Sequence, residues 1–238
     1  MRIRLRRPSR RLSIGGVVLV ASAALLGVGL FSIFAAISDD DLPSEGSLEE
    51  IIAQNEAGYA NLSATATAVP PEAVPPPVTM LIPRLQIEAP VLALGLDEQN
   101  YPQVPNDPDH VAWYTFTAVP GQAGNAVFSG HVDWISRGKG IPGVFYRLRE
   151  LELGDPIVVR REDGVEIQYR VIGNVAVEYN DPNVLKVMDR ASKDVLTLIT
   201  CGGTWLRDYR APQGGSYSHR IIVRAERVQE AATSDPGG

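Results

Sequence analysis

"LTLITCGGTW", Leu196–Trp205, runs apolar and β-branched residues into the only cysteine of the chain and then meets two glycines. Such a run suits the pleated, half-buried surface of a strand. The Gly-Gly step predicts that this strand ends at Cys201. Side chains alternate across a strand, so Val195, Thr197, Ile199 and Cys201 share one face, and Leu196, Leu198 and Thr200 the other.

The same pattern recurs from Val78 onward. "MLIPRLQI", "APVLALGL", "HVAWYTF", "NAVFSGHV", "DPIVVRR", "VEIQYRVIGNVAVE" and "HRIIVRAERV" are short apolar or β-branched runs set apart by Gly, Pro, Asn and Asp. With the opening stretch they make about eight candidate strands. The Asp163-Gly164 step in "EDGVEIQYRV" is a hairpin signal. Only Gly143–Leu151 and Pro182–Ala191 read as short helices, and no internal repeat is present. The pattern predicts a mainly β domain over residues 79–238, a closed eight-stranded barrel with one or two short helices.

The residues before it differ in kind. Residues 1–12 hold six arginines, a basic tail, and residues 13–37, "SIGGVVLVASAALLGVGLFSIFAAI", carry no charge. At 1.5 Å per residue, about 20 such residues cross a hydrocarbon core. Arginines precede this span and acids follow it. A single transmembrane helix, N-terminus inside and the bulk of the chain outside, is therefore expected. A cleaved signal peptide is the rival reading, but its apolar region is usually roughly 7–15 residues long. Residues 38–78 are expected to form an extracytoplasmic stalk. It would hold a short helix near Glu49–Ala60 and a polyproline spacer at "AVPPEAVPPP", Ala68–Pro77.

Composition excludes several classes. The formal charge is −6 even with the arginine-rich tail included, so the remainder is strongly acidic and unsuited to phosphate backbones. One cysteine makes no intrachain disulfide. His110, His131 and His219 lie far apart without helical spacing, so no zinc cluster is expected, nor any other cofactor.

Chemistry must then centre on Cys201. A thiol near neutral pH is mostly protonated and needs a base or a positive neighbour to become a nucleophile. His131 follows Gly130 at the end of the run "AVFSGHVDW", and Arg220 opens "HRIIVRAERV", where it could donate to an oxyanion. The bland alternative is a buried thiol acting as a small hydrophobe.

These segments resemble the sortases, membrane-anchored cysteine transpeptidases of bacterial surfaces. "TLITC" (Thr197–Cys201) matches the TLxTC signature of that family, "SGH" (Ser129–His131) its histidine segment, and the Arg of "HRIIVRA" its arginine. "IPRLQIEAPVLALGLDE", "VPNDPDHVAWY", "PGQAGNAVFSGHVDW" and "VFYRLRELELGDPIVV" follow in the expected order, so the likeness covers residues 80–228. The Gly-Gly after Cys201 and "GGSYSHR" before the last run look most like class F, with class E the near rival. The resemblance implies a sortase barrel on a membrane anchor, monomeric, that cleaves an LPxTG-like sorting signal of secreted proteins. Cys201 would attack the Thr carbonyl, Arg220 would hold the oxyanion, and His131 would shuttle protons. The thioester would pass to an amine of a cell-wall precursor. Thr200 and Trp205 are expected to contact substrate. Trp205, Tyr209 and Tyr217 would decorate a long loop over Gly202–Ser218. Asp133 reads as a solvated loop acid rather than an orienter of the His131 ring. The alternatives are a non-catalytic, membrane-tethered peptide-binding barrel and a hydrolytic cysteine peptidase of the same fold. His before Cys is opposite to the papain-like order, and no S-x-G-C core of an L,D-transpeptidase is present.

Overall fold

The computed structural model describes residues 42–56, 74–136, 138–208 and 214–229. Its strands are β1 (Ser44–Glu45), β2 (Pro77–Ile82), β3 (Ile87–Leu94), β4 (Val111–Tyr114), β5 (Gly124–Ser129), β6 (Asp133–Ser136), β7 (Lys139–Pro142), β8 (Pro156–Arg161), β9 (Glu166–Glu178), β10 (Asp194–Arg207) and β11 (Gly215–Arg227). One α-helix, α1, spans Leu48–Glu56. The main sheet runs β1-β9-β11-β10-β5-β4-β3-β2-β8, and β8 also pairs with β9. That last pairing closes β2–β5 and β8–β11 into an eight-stranded barrel, which leaves none of their edges as a template for aggregation. β1 continues along β9 at Asn174 and Val175, beyond Glu166–Arg170 where β8 pairs. β6 and β7 form a separate hairpin.

Alternation builds the two faces. Ile167, Tyr169 and Val171 of β9, Leu196 and Leu198 of β10, and Ile221, Val223 and Ala225 of β11 fill the barrel with Ala126 and Phe128 of β5. The residues between them point outward. There Val175, Val177 and Ile222 form a second apolar cluster with Leu48 and Ile51 of α1 and with Val187.

That outer cluster corrects the expected stalk. Part of residues 38–78 lies on the barrel, because an apolar outer face needs cover and α1 supplies it. A capping box opens α1: Glu50 N–H donates to Ser47 Oγ, and Ser47 N–H donates to Glu50 Oε2. The entering chain is pinned where Ala176 N–H donates to Pro43 O. At its far end, Asn55 Nδ2 donates to Lys186 O while its Oδ1 accepts from Arg224. Pro77 already belongs to β2, at the first position of a strand where a missing N–H is tolerated.

The other departures are local. The two expected helices are 3-10 turns, Leu148–Glu150 and Val184–Met188, too short for an α-helical ladder. β10 does not stop at Cys201; it runs on to Arg207 and returns as β11. Gly203 takes φ +74°, and the register shifts between Gly202 and Trp205, so the glycines make a bulge instead of a break. The tail (1–12) and the expected span (13–37) lie outside the described residues. Among those described, no helix is long and apolar enough to cross a membrane.

Candidate active site

β5, β10 and β11 are neighbours in the barrel wall. Cys201 pairs directly with Arg220 across β10–β11, and Ile199 with Ser129 across β5–β10. Two residues on from that last pair stand Cys201 and His131. Cys201 has the parity of Ile199 and Arg220 that of Ile222, so both belong to the outward face of adjacent strands, while His131 stands two residues past the end of β5. The sequence suggested three strand ends; instead Cys201 and Arg220 lie within long strands that pair directly, while His131 does follow a strand end, that of β5.

The histidine is held by its backbone and its ring. Phe145 N–H donates to His131 O. The chain passes so close there that a Cβ on Gly143 would sit 2.4 Å from that oxygen, and one on Gly130 2.6 Å from Val144 Cγ1. The ring nitrogen Nε2 lies 2.8 Å from Pro105 O. A carbonyl only accepts, so Nε2 carries the hydrogen and Nδ1 is the nitrogen that can exchange a proton. The Trp134 ring meets the imidazole edge-on at 4.9 Å.

Arg220 is braced along its own strand. Its Nη1 donates to His219 O and Tyr217 O, its Nη2 to Ser216 Oγ, and its guanidinium lies 5.9 Å from the Tyr179 ring centroid. Burial pushes the half-buried Cys201 thiol up; Arg220 pulls it down and Asp133 pushes it up further. Cys201 thus stands beside a fixed cation, and a thiol must lose its proton to act as a nucleophile.

Thr200, expected at the substrate, is 4% exposed, and its hydroxyl donates to Gly130 O at 2.8 Å. It ties the nucleophile's strand to the residue before His131. Trp205 is 39% exposed and packs edge-on against Tyr217 at 5.2 Å. Tyr209 falls outside the described residues. The expected loop is a β-hairpin over most of its length, with Gly215 left bare because a Cβ there would lie 2.8 Å from the Trp205 ring.

Asp133 is not a solvated loop acid. It opens β6, is half-buried, and its Oδ2 accepts a 2.7 Å hydrogen bond from Tyr217. Burial and Asp133 push the Tyr217 hydroxyl up, so it stays protonated and donates. His110 and His219 bond locally, to Asp107 and Ser218. No cluster of three His, Cys, Asp or Glu that could hold a metal ion occurs among the described residues. Sequence reading missed Pro105, Tyr179 and the Asp133–Tyr217 pair. None carries a local signal, since each acts through a partner distant in the chain.

A family model described as the Sortase domain matches residues 80–228. Among solved structures, the lid mutant of sortase A from Corynebacterium diphtheriae is 21% identical, covering 79% of this chain and 96% of that one at a TM-score of 0.48. Sortase C-1 from Actinomyces oris is 21% identical, covering 77% of this chain and 100% of that one at 0.46. A Clostridium perfringens sortase D5 transpeptidase is 17% identical, covering 76% and 94% at 0.44. No curated protein sequence matches the chain significantly.

Proposed function

The chain belongs to the sortase family, and from that premise we propose that it is a transpeptidase that cleaves an LPxTG-like sorting signal in secreted proteins and passes the acyl group to a cell-wall amine. One observation carries this reading. The thiol and the guanidinium are in direct register on adjacent strands, and His131 follows the end of β5, the other neighbour of the nucleophile's strand.

Cys201 sulfur attacks the Thr carbonyl of the signal. Arg220, its fork held by three acceptors, faces the developing oxyanion with fixed donors. His131 takes the thiol proton at Nδ1 and gives it to the departing amine, leaving a thioester on Cys201. Neutral His131 then serves as base for the incoming amine. Within the family the proposal is class F, on the Gly-Gly after Cys201 and the lead into β11, with class E the rival. The uncharged span 13–37 would hold the enzyme in the membrane with residues 42–238 outside.

The test is to incubate the full-length chain with an LPxTG-like peptide library, with and without glycine amide, and weigh the products. Amine-dependent ligation that disappears in Cys201→Ala supports the proposal. Cleavage with water as sole acceptor makes it a peptidase, and protection of Cys201 by peptide without cleavage makes it a binding module. Protease added outside intact cells should remove the catalytic domain and leave a short membrane fragment; an anchor-free protein in the medium would reject the anchor.

A further inference from the structure

Among the described residues, Asp133 is a charged group that works against the thiol. A carboxylate within electrostatic range of Cys201 raises the cost of forming the thiolate. The fold nevertheless holds it there. β6 begins at Asp133, two residues past His131, and the Tyr217 hydroxyl grips Oδ2 at 2.7 Å from β11, the strand that carries Arg220. Tyr217 is itself 9% exposed and backed by the Trp205 ring. Among the described residues, Asp133 Oδ1 has no hydrogen-bonding partner, and the His131 ring meets Pro105 O and Trp134 rather than this carboxylate. The acid is neither neutralised by an ion pair nor engaged in orienting the imidazole.

What it opposes in the first half-reaction, it can serve in the second. Once Cys201 is acylated, its sulfur bears no charge, and the fixed charges left around it include the Arg220 guanidinium. The next substrate is a primary amine, a cation at neutral pH, that must approach beside that arginine. We propose that Asp133, latched by Tyr217, is the acceptor-binding residue: its free carboxylate oxygen receives the incoming ammonium and holds it for deprotonation by His131. This rests on the transpeptidase reading above.

The step balances. The ammonium bound at Asp133 gives one proton to His131 Nδ1, and the resulting amine attacks the thioester carbon. The new C–N bond forms and the C–S bond breaks, its electron pair returning to Cys201 sulfur. The second proton leaves the amide nitrogen for solvent, and the enzyme is left as a thiolate–imidazolium pair.

Asp133→Asn separates this from a structural role, because the amide keeps an oxygen for Tyr217 to bond while losing the charge. The full-length enzyme is given an LPETG peptide, and its thioester is partitioned between water, glycine amide and hydroxylamine, which is uncharged at neutral pH. Asp133→Asn should form the thioester faster than wild type, because the opposing charge is gone, and yet raise KM for glycine amide about tenfold, the weight of one charge-assisted hydrogen bond. Hydroxylamine use should be unchanged, and Asp133→Glu should restore part of the glycine amide affinity. An equal loss with both nucleophiles, or an unchanged glycine amide KM, overturns the assignment alone. A wild-type enzyme that forms no thioester overturns the transpeptidase reading, and this assignment with it.

Discussion

Three influences meet on the Cys201 sulfur: burial raises the thiol, Arg220 lowers it, and Asp133 raises it. Each leaves a trace in the pH dependence of alkylation, since the thiolate is the species that reacts. The wild-type midpoint should lie above that of a free cysteine, because burial is the largest influence. Asp133→Asn removes a raising charge and should move the midpoint to lower pH, with faster alkylation near neutrality. Arg220→Ala removes the lowering charge and should move it higher. A rate profile of iodoacetamide labelling reads both, and equal midpoints in the two variants would show that neither charge reaches the sulfur. At this scale the sequence singled out Cys201, His131 and Arg220, because each sits in a run with its own pattern. It was a poor guide to Asp133, whose position two residues after His131 says nothing of Tyr217, a residue 84 positions away.

The elements show the same division. Alternating runs betray strands wherever one face is apolar and the other is not, so the eight barrel strands were legible, but not which strand lies beside which. β10 beyond Cys201 was not, because Gly202 and Gly203 read as a terminus. In the structure a Cβ on Gly202 would lie 2.7 Å from both Cγ1 and Cδ1 of Ile221, so the glycine is there for close strand packing. Gly202→Ala should destabilise the domain by about 1–3 kcal/mol, the usual cost of overpacking. Adding Ile221→Val, which removes Cδ1, should recover part of that loss in urea denaturation. Independent, additive losses would mean that the two side chains do not compete for the space. α1 was legible only in part. The Ser47-x-x-Glu50 box marks its start in plain sequence, but its docking depends on the far-off apolar face of β9 and β11.

For the whole molecule, that docking sets where the catalytic domain begins. Leu48 is 7% and Ile51 2% exposed on the outer cluster. Arg224, fully buried on that face and pushed down by burial to about 10, keeps one hydrogen bond through Asn55 Oδ1. Burying two such side chains contributes about 1.5–3 kcal/mol each, as an upper bound. A fragment starting at Asp39 should therefore be more stable in urea than one starting at Val74 by about 3–6 kcal/mol. The shorter one should bind a hydrophobic dye. Equal stabilities would return residues 42–56 to the role of a spacer.

The parallel pairing of β5 with β10 has a consequence in time. Arg220 meets Cys201 through the neighbouring hairpin, a local event. The end of β5, which leads into His131, meets β10 only when segments 70 residues apart are brought side by side. Closing that loop costs more chain entropy, and non-local pairings of this kind slow folding. During refolding, Arg220 should therefore reach Cys201 first and the segment that carries His131 last. Stopped-flow labelling of Cys201, set against pulsed amide exchange at Gly130, whose N–H donates to Ile199 O, would time the two arrivals; simultaneous arrival would contradict this order. A half-folded chain then carries an open thiol beside Arg220, and completion of the barrel wall is what buries and raises it.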